Sequence, residues 1–187
     1  MSHSYQSFPM NLAKNIRMLV LDVDGVLTAG QIFLTDECEQ IKAFNVRDGH
    51  GIKLLQRMGI EVAILTGRTS KVVEHRTQEL GIKHLIQGSL RKADGIAVLC
   101  EKAGIQASDC AYMGDDVIDL PAMDVCRFSM APADAHQGVQ SKVDWVSSYT
   151  GGNGAVRQAC EGLIIANNAW DEIMQTPYGV SAQESGW

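Results

Sequence analysis

The stretch Leu19-Val20-Leu21-Asp22-Val23-Asp24-Gly25-Val26-Leu27-Thr28 decides the fold. With Met18 ahead of it, this apolar run reads as a buried parallel strand, and in open α/β sheets ligands bind at the carboxyl ends of such strands. Two carboxylates one residue apart stand at that end. Strand alternation turns Asp22 and Asp24 the same way, and like charges this close call for a cation or a shared proton. The pair is therefore a metal site, or a nucleophile with its acid/base partner, or both. The plainer alternative is a helix cap or an Asx turn ahead of Gly25.

The 187-residue chain is 45% hydrophobic and 20% charged, which suits one domain with a sizeable core. No apolar stretch is long enough to cross a bilayer, and no basic segment followed by an apolar one opens the chain. A soluble, unexported protein is expected. Cys38, Cys100, Cys110, Cys126 and Cys160 are scattered, with no Cys-x-x-Cys pair or Cys/His cluster, and read as reduced thiols of a cytoplasmic protein. A net charge of -6 argues against a nucleic-acid or membrane surface, so an anionic substrate needs local positive charge.

Outward from the first strand, Gln31 to Leu34 and Gln40 to Asn45 read as two short strands flanking polar Thr35-Asp36-Glu37-Cys38-Glu39, a hairpin over about residues 30–45. From Gly49 the rhythm is regular. A helix to about Met58, strand Glu61 to Leu65, a helix from Ser70 to Leu80 and a strand at His84 to Ile86 are followed by a helix from about Arg91 to Ala103. Strand Cys110 to Met113, a short helix from Val117, and strands Arg127 to Met130 and Val143 to Val146 complete the alternation. This pattern predicts a mostly parallel sheet with helices on both faces. A last helix, about Asn153 to Asn167, carries Val156, Ala159, Cys160, Leu163 and Ile164 on one face. Residues 1–173 are expected as a single domain and the polar, turn-rich residues 174–187 as a flexible tail.

Other polar residues fall at predicted strand ends. Thr66-Gly67-Arg68 follows the strand ending at Leu65, where a hydroxyl and backbone amides either bind an anionic oxygen or cap a helix. Lys92 opens a helix, where the helix dipole disfavours a cation, although a lone lysine there also suits a solvated surface. Gly114-Asp115-Asp116-Val117-Ile118-Asp119 places three carboxylates in five residues directly after a strand. Such acids repel unless solvated or sharing a cation, and a hard divalent ion, magnesium above all, prefers oxygen ligands. A capped first helical turn is the alternative.

These segments resemble, in order, the four motifs of the haloacid dehalogenase superfamily of phosphotransferases: Asp22-Val-Asp24-Gly-Val, Thr66, Lys92, and Gly114-Asp115-Asp116 with Asp119. The resemblance spans about Arg17 to Asn168 and implies a Rossmann-like α/β core. It implies Asp22 as the nucleophile that forms an aspartyl phosphate, and Asp24 as the general acid/base. Thr66 and Lys92 would bind the transferring phosphoryl group. Magnesium would be held by Asp22, the Asp24 backbone carbonyl and Asp115, with Asp116 and Asp119 in support. Roughly 20 residues separate Val26 from Asp48, room for a hairpin in place of a cap domain.

A closer likeness is to the capless 3-deoxy-D-manno-octulosonate (KDO) 8-phosphate phosphatases. It is carried by Phe44-Asn-Val-Arg-Asp-Gly-His-Gly-Ile52, Leu65-Thr-Gly-Arg68, Ala133-Asp-Ala-His136 and Gly151-Gly-Asn-Gly-Ala-Val-Arg157. It implies a phosphorylated sugar acid substrate in lipopolysaccharide precursor synthesis, a homotetramer built through the hairpin, and a pocket lined by Asp48, His50, Gly67, Arg68 and Arg76. Phosphatases of nonulosonate 9-phosphates share much of the pattern, and a phosphate-accepting receiver domain uses a similar set of acids, a hydroxyl and a lysine.

Overall fold

The computed structural model describes residues 8–37 and 39–185. Cys38, with the expectation that it is a reduced thiol, lies outside the described residues, as do residues 1–7 and the last two residues of the expected tail. The elements in chain order are α1 (Met10–Ala13), β1 (Met18–Leu21), β2 (Phe33–Leu34), β3 (Gln40–Ile41), α2 (Val46–Arg57), β4 (Glu61–Leu65) and α3 (Lys71–Leu80). There follow β5 (His84–Ile86), α4 (Lys92–Ala103), β6 (Cys110–Met113), α5 (Leu120–Met123), β7 (Phe128–Ala131), α6 (Gln137–Gln140), β8 (Trp145–Val146), α7 (Ala155–Ala166) and α8 (Thr176–Tyr178).

Six strands pair in parallel in the order β5-β4-β1-β6-β7-β8, and β2 and β3 form a separate antiparallel hairpin. The apolar runs explain the sheet, because strands buried on both faces need apolar side chains pointing both ways. Leu19 and Leu21 of β1, Val62 and Ile64 of β4, and Ala111 and Met113 of β6 enter one core with α2 and α7. Met18, Val20, Ala63, Leu65, Cys110 and Tyr112 enter the other, with Ile96 and Leu99 of α4 and Ala122 and Met123 of α5. The chain runs outward from β1 through β4 to β5, then returns to β6 on the other side of β1. The β1/β6 boundary is thus the topological switch point, where ligands bind in such sheets.

Several boundaries differ from the sequence reading. Helix α2 begins at Val46 rather than Gly49, because the Asn45 side chain accepts the Arg47 N–H at 2.8 Å and starts the helix early. Gly51 within it faces Arg157 and Cys160 of α7, and a Cβ there would lie 3.1 Å from Arg157, so the missing side chain permits the close α2–α7 approach. Strand β8 shortens to Trp145–Val146, and α1 and α6 had no clear sequence signal. The apolar face of α7 is buried as read: Val156, Ala159, Cys160, Leu163 and Ile164 are fully covered. Beyond it, Asp171–Gln175 forms a wide helical turn with Ile173 and Met174 buried, and the Trp170 indole donates to the Val180 carbonyl at 3.0 Å. No helix among the described residues is long and apolar enough to cross a membrane.

Candidate active site

The β1 ladder delivers Asp22 to the switch point. Its N–H donates to the Met113 carbonyl of β6 at 3.0 Å, extending the pairing one residue past the strand. The strand ends at Leu21 and the chain turns, so strict alternation does not carry through to Asp24, and the two acids meet different cations. Asp22 Oδ2 pairs with the Lys92 ammonium at 2.8 Å. Asp24 pairs with Lys42 and lies 3.9 Å from Arg68 Nε.

Lys92, the first residue of α4, is 1% exposed and lies between Asp22 and Asp119, the latter at 2.5 Å. A cation at a helix N-terminus works against the dipole, so the two carboxylates are what hold it there. Burial disfavours its charge, but Asp22 and Asp119 outweigh that and raise its pKa. Asp119 is fully buried and fully engaged. Its Oδ1 accepts from Lys92 and from the Tyr112 hydroxyl at 2.7 Å, and its Oδ2 accepts the N–H groups of Asp115 and Asp116 at 3.1 Å each. Asp116 caps the short 3-10 turn Val117–Asp119 by accepting the Val117 N–H. Replacing Lys92 with Met should leave two buried carboxylates uncompensated, and a loss of about 3 kcal/mol in urea unfolding is expected.

The oxygens of Asp22, Asp115 and Asp119 lie within 4.8 Å of one another, and this is the one such acid, histidine or cysteine group among the described residues. The donor set fits a hard divalent ion. Three carboxylates face one ammonium, Asp22 Oδ1 is buried without a hydrogen-bond partner, and Asp119 is saturated, which leaves Asp22 and Asp115 to offer ligand oxygens. Gly25, at φ +90°, makes room for them: a Cβ there would fall 2.1 Å from Asp115 Oδ2.

Burial, then the nearby Asp22, Asp119 and Asp116, pushes the Asp115 carboxyl up to about 7. Burial also pushes Asp22 to about 6, with Lys92 pulling down and Asp119 pushing up. Both folded values exceed the ordinary 3.8, so without a cation these groups contribute stability that is full below about pH 4 and lost as pH rises through 6 to 7. Metal-free protein should therefore melt lower at pH 8 than at pH 5.5. Magnesium at about a hundredfold over its dissociation constant adds roughly 2.7 kcal/mol. For a chain this long that is a rise of about 5–10 °C in Tm, largest at the higher pH, measurable by differential scanning fluorimetry.

Thr66 follows β4 and is 2% exposed, its N–H donating to the Ile86 carbonyl. Its hydroxyl lies at 3.5 Å from the Arg68 N–H, and the N-cap of α3 falls later, at Ser70. Arg68 itself is 44% exposed, at the Asp24 edge of the site. Gly67 lies beside Leu90. Arg76 pairs with Glu79 at 2.7 Å and lies over the Phe44 ring.

Asp48 and His50 belong to a second polar network. Asp48 is 1% exposed and accepts the Gly154 and Arg157 N–H groups at 3.2 and 2.8 Å, capping α7 from a helix more than a hundred residues earlier. Burial raises its pKa against those two bonds. His50 Nδ1 lies 3.2 Å from the Arg157 guanidinium and edge-on to Tyr178, and burial followed by Arg157 and Arg57 lowers its pKa. Lys42 and Tyr112 are site residues that sequence reasoning missed. Tyr112 sits inside an apolar strand run, and Lys42 is an unremarkable lysine beside a polar turn.

A haloacid dehalogenase-like hydrolase family profile matches residues 37–125. The chain is 48% identical over 163 residues to the 3-deoxy-D-manno-octulosonate 8-phosphate phosphatase KdsC of Salmonella typhi, covering 87% of each protein. Among solved structures it is similar to the enzyme of the same description from Moraxella catarrhalis in complex with magnesium ion, phosphate ion and KDO. The TM-score there is 0.87, at 41% identity over 89% of this chain and 96% of that one. It is also similar to the cobalt-bound form of the deoxy-D-mannose-octulosonate 8-phosphate phosphatase from Haemophilus influenzae, with a TM-score of 0.85, 40% identity, and 90% and 99% of the two chains covered.

Proposed function

Because this chain belongs to the haloacid dehalogenase-like hydrolases, we propose that it is a magnesium-dependent phosphatase that converts KDO 8-phosphate to KDO and phosphate through an aspartyl phosphate. The observation that carries this reading is the cluster at the β1/β6 switch point. A buried carboxylate presents one unpaired oxygen while a buried ammonium holds the other, on a chain 48% identical to a KDO 8-phosphate phosphatase.

Asp22 attacks the phosphorus. An anionic nucleophile approaches an anionic phosphate only where positive charge offsets the repulsion, and Lys92 supplies part of it. Magnesium, held by Asp22, the Asp24 carbonyl and Asp115, supplies the remainder when bound, by neutralising charge on the transferring group. Thr66 and the amides after β4 bind the phosphoryl oxygens. Asp24 protonates the departing alkoxide, then takes a proton from the water that hydrolyses the aspartyl phosphate. Asp119 and Asp116 act through others: Asp119 orients Lys92 and the Asp115 loop, and Asp116 fixes the turn. The sugar acid extends toward Arg68, Gly67 and Arg76, with Asp48 and His50 supporting the neighbouring α2–α7 wall.

The hairpin exposes Ile32, Phe33, Leu34 and Ile41, each about half accessible, an apolar surface that an isolated two-stranded ribbon does not bury. A homotetramer built through this hairpin covers it. Cytoplasmic residence in lipopolysaccharide precursor synthesis fits the free thiols Cys100, Cys110, Cys126 and Cys160. Residues 1–173 form the catalytic domain and 174–187 its tail. The test is p-nitrophenyl phosphate hydrolysis with and without magnesium, beside sedimentation velocity. Catalytic, magnesium-dependent turnover by a tetramer supports the reading. Stoichiometric phosphate uptake without turnover points instead to a receiver-like module, and a monomer at micromolar concentration removes the assembly.

A further inference from the structure

Lys42 immediately follows β3, and its side chain is only 5% exposed although the hairpin around it is open to solvent. A lysine covered to that degree needs a partner, because a desolvated ammonium left alone is costly. Its partner is Asp24 Oδ1. Among the described residues the other cation near that carboxylate is Arg68, more distant at 3.9 Å and on the second oxygen. Asp24 stands in the turn after β1, where its orientation is not set by a strand ladder.

We propose that Lys42 is a positioning residue of the reaction: from the base of the hairpin it holds Asp24 Oδ1, so that Oδ2 is presented to the leaving oxygen and then to water. This rests on Asp24 being the acid/base. General acid–base efficiency depends on placing the carboxyl within hydrogen-bond reach of the proton it moves, and an aspartate in a turn, its side chain 23% exposed and with no ladder to orient it, samples more than one rotamer unless a partner holds it. The ammonium selects one. The hairpin thereby acquires a part in the chemistry besides its part in assembly, since displacing β3 displaces Lys42.

The test compares Lys42→Met, Lys42→Arg and Asp24→Asn on two substrates. An alkyl phosphate, KDO 8-phosphate, needs its leaving group protonated; p-nitrophenyl phosphate does not, because nitrophenolate departs unprotonated. For Lys42→Met, kcat on the alkyl phosphate should fall at least about tenfold with KM within about twofold. On the aryl phosphate the first turnover should stay fast while hydrolysis of the aspartyl phosphate slows, giving a burst of nitrophenolate equal to the active-site concentration. Lys42→Arg should recover most of the loss, since a guanidinium also holds a carboxylate.

A raised KM with unchanged kcat would make Lys42 a substrate contact and overturn the proposal. So would a burst with Asp24→Asn but none with Lys42→Met, or a Lys42→Arg enzyme no better than Lys42→Met. If Asp24→Asn itself shows neither burst nor loss, the acid/base assignment is what fails. Circular dichroism and sedimentation of each variant guard against misfolding. A Lys42→Met protein that is unfolded or dissociated hands the decision to Lys42→Arg and to Lys42→Gln, which stays polar but is uncharged and one atom too short to keep hold of Asp24. Full kcat in Lys42→Gln is a further result that overturns the proposal.

Discussion

Asp22→Asn is expected to abolish phosphate release, by at least about a thousandfold, while thermal unfolding stays within a few degrees of the parent protein. The change removes the anion proposed to attack phosphorus but keeps the side-chain volume, so the β1 end and the Met113 contact, which is made by backbone, persist. The amide oxygen still accepts from Lys92, and Asp119 still pairs with that ammonium, so no buried charge is stranded. Stability at neutral pH should even rise slightly, because one member of a cluster with three carboxylates and one ammonium becomes neutral. Residual activity above a few per cent would contradict covalent catalysis through this residue. Mass spectrometry of acid-quenched parent enzyme should find phosphate on the peptide containing Asp22.

Removing magnesium is expected to have a comparable effect. Two unit charges of like sign at about 4 Å interact by about 4 kcal/mol at an effective dielectric of about 20, close to three orders of magnitude in rate. Lys92 alone faces both Asp22 and Asp119, so it cannot also neutralise Asp115 and an incoming phosphate dianion. Chelation should therefore abolish turnover and magnesium should restore it. Asp115→Ala should raise the magnesium concentration needed for half activity, and calcium should inhibit because its looser coordination misaligns in-line attack. Full activity in excess chelator would contradict a metal-assisted reaction.

The parts of the site read from sequence are those that strand ends place locally. Asp22 after β1, Thr66 after β4 and Asp115 after β6 stand at strand ends, where the residues alone leave a ligand site and a cap or turn both open, and the ordered likeness to the haloacid dehalogenase motifs is what favours the first. The burial of Lys92 was not readable, because its two partners come from the residue just past β1 and from the turn before α5. Tyr112 was hidden by its own strand: an apolar run gives no sign that one hydroxyl points at a buried aspartate. Asp48 shows the same limit in reverse, since helix α7, which it caps, begins more than a hundred residues later and nothing local marks the contact. Lys42 meets Asp24 through the position of a hairpin whose two short strands pair only with each other. Long-range partners of charged side chains are set by tertiary packing, and neither periodicity nor turn chemistry encodes them.

The most direct measurement is phosphate release by the purified protein from KDO 8-phosphate and from a nonulosonate 9-phosphate, each with magnesium and with excess chelator. A KDO 8-phosphate phosphatase should show magnesium-dependent turnover of that ester with kcat/KM of at least about 10⁴ M⁻¹s⁻¹, at least about tenfold above the nonulosonate ester. No release from KDO 8-phosphate in the presence of magnesium, or faster turnover of the nonulosonate 9-phosphate, would contradict it.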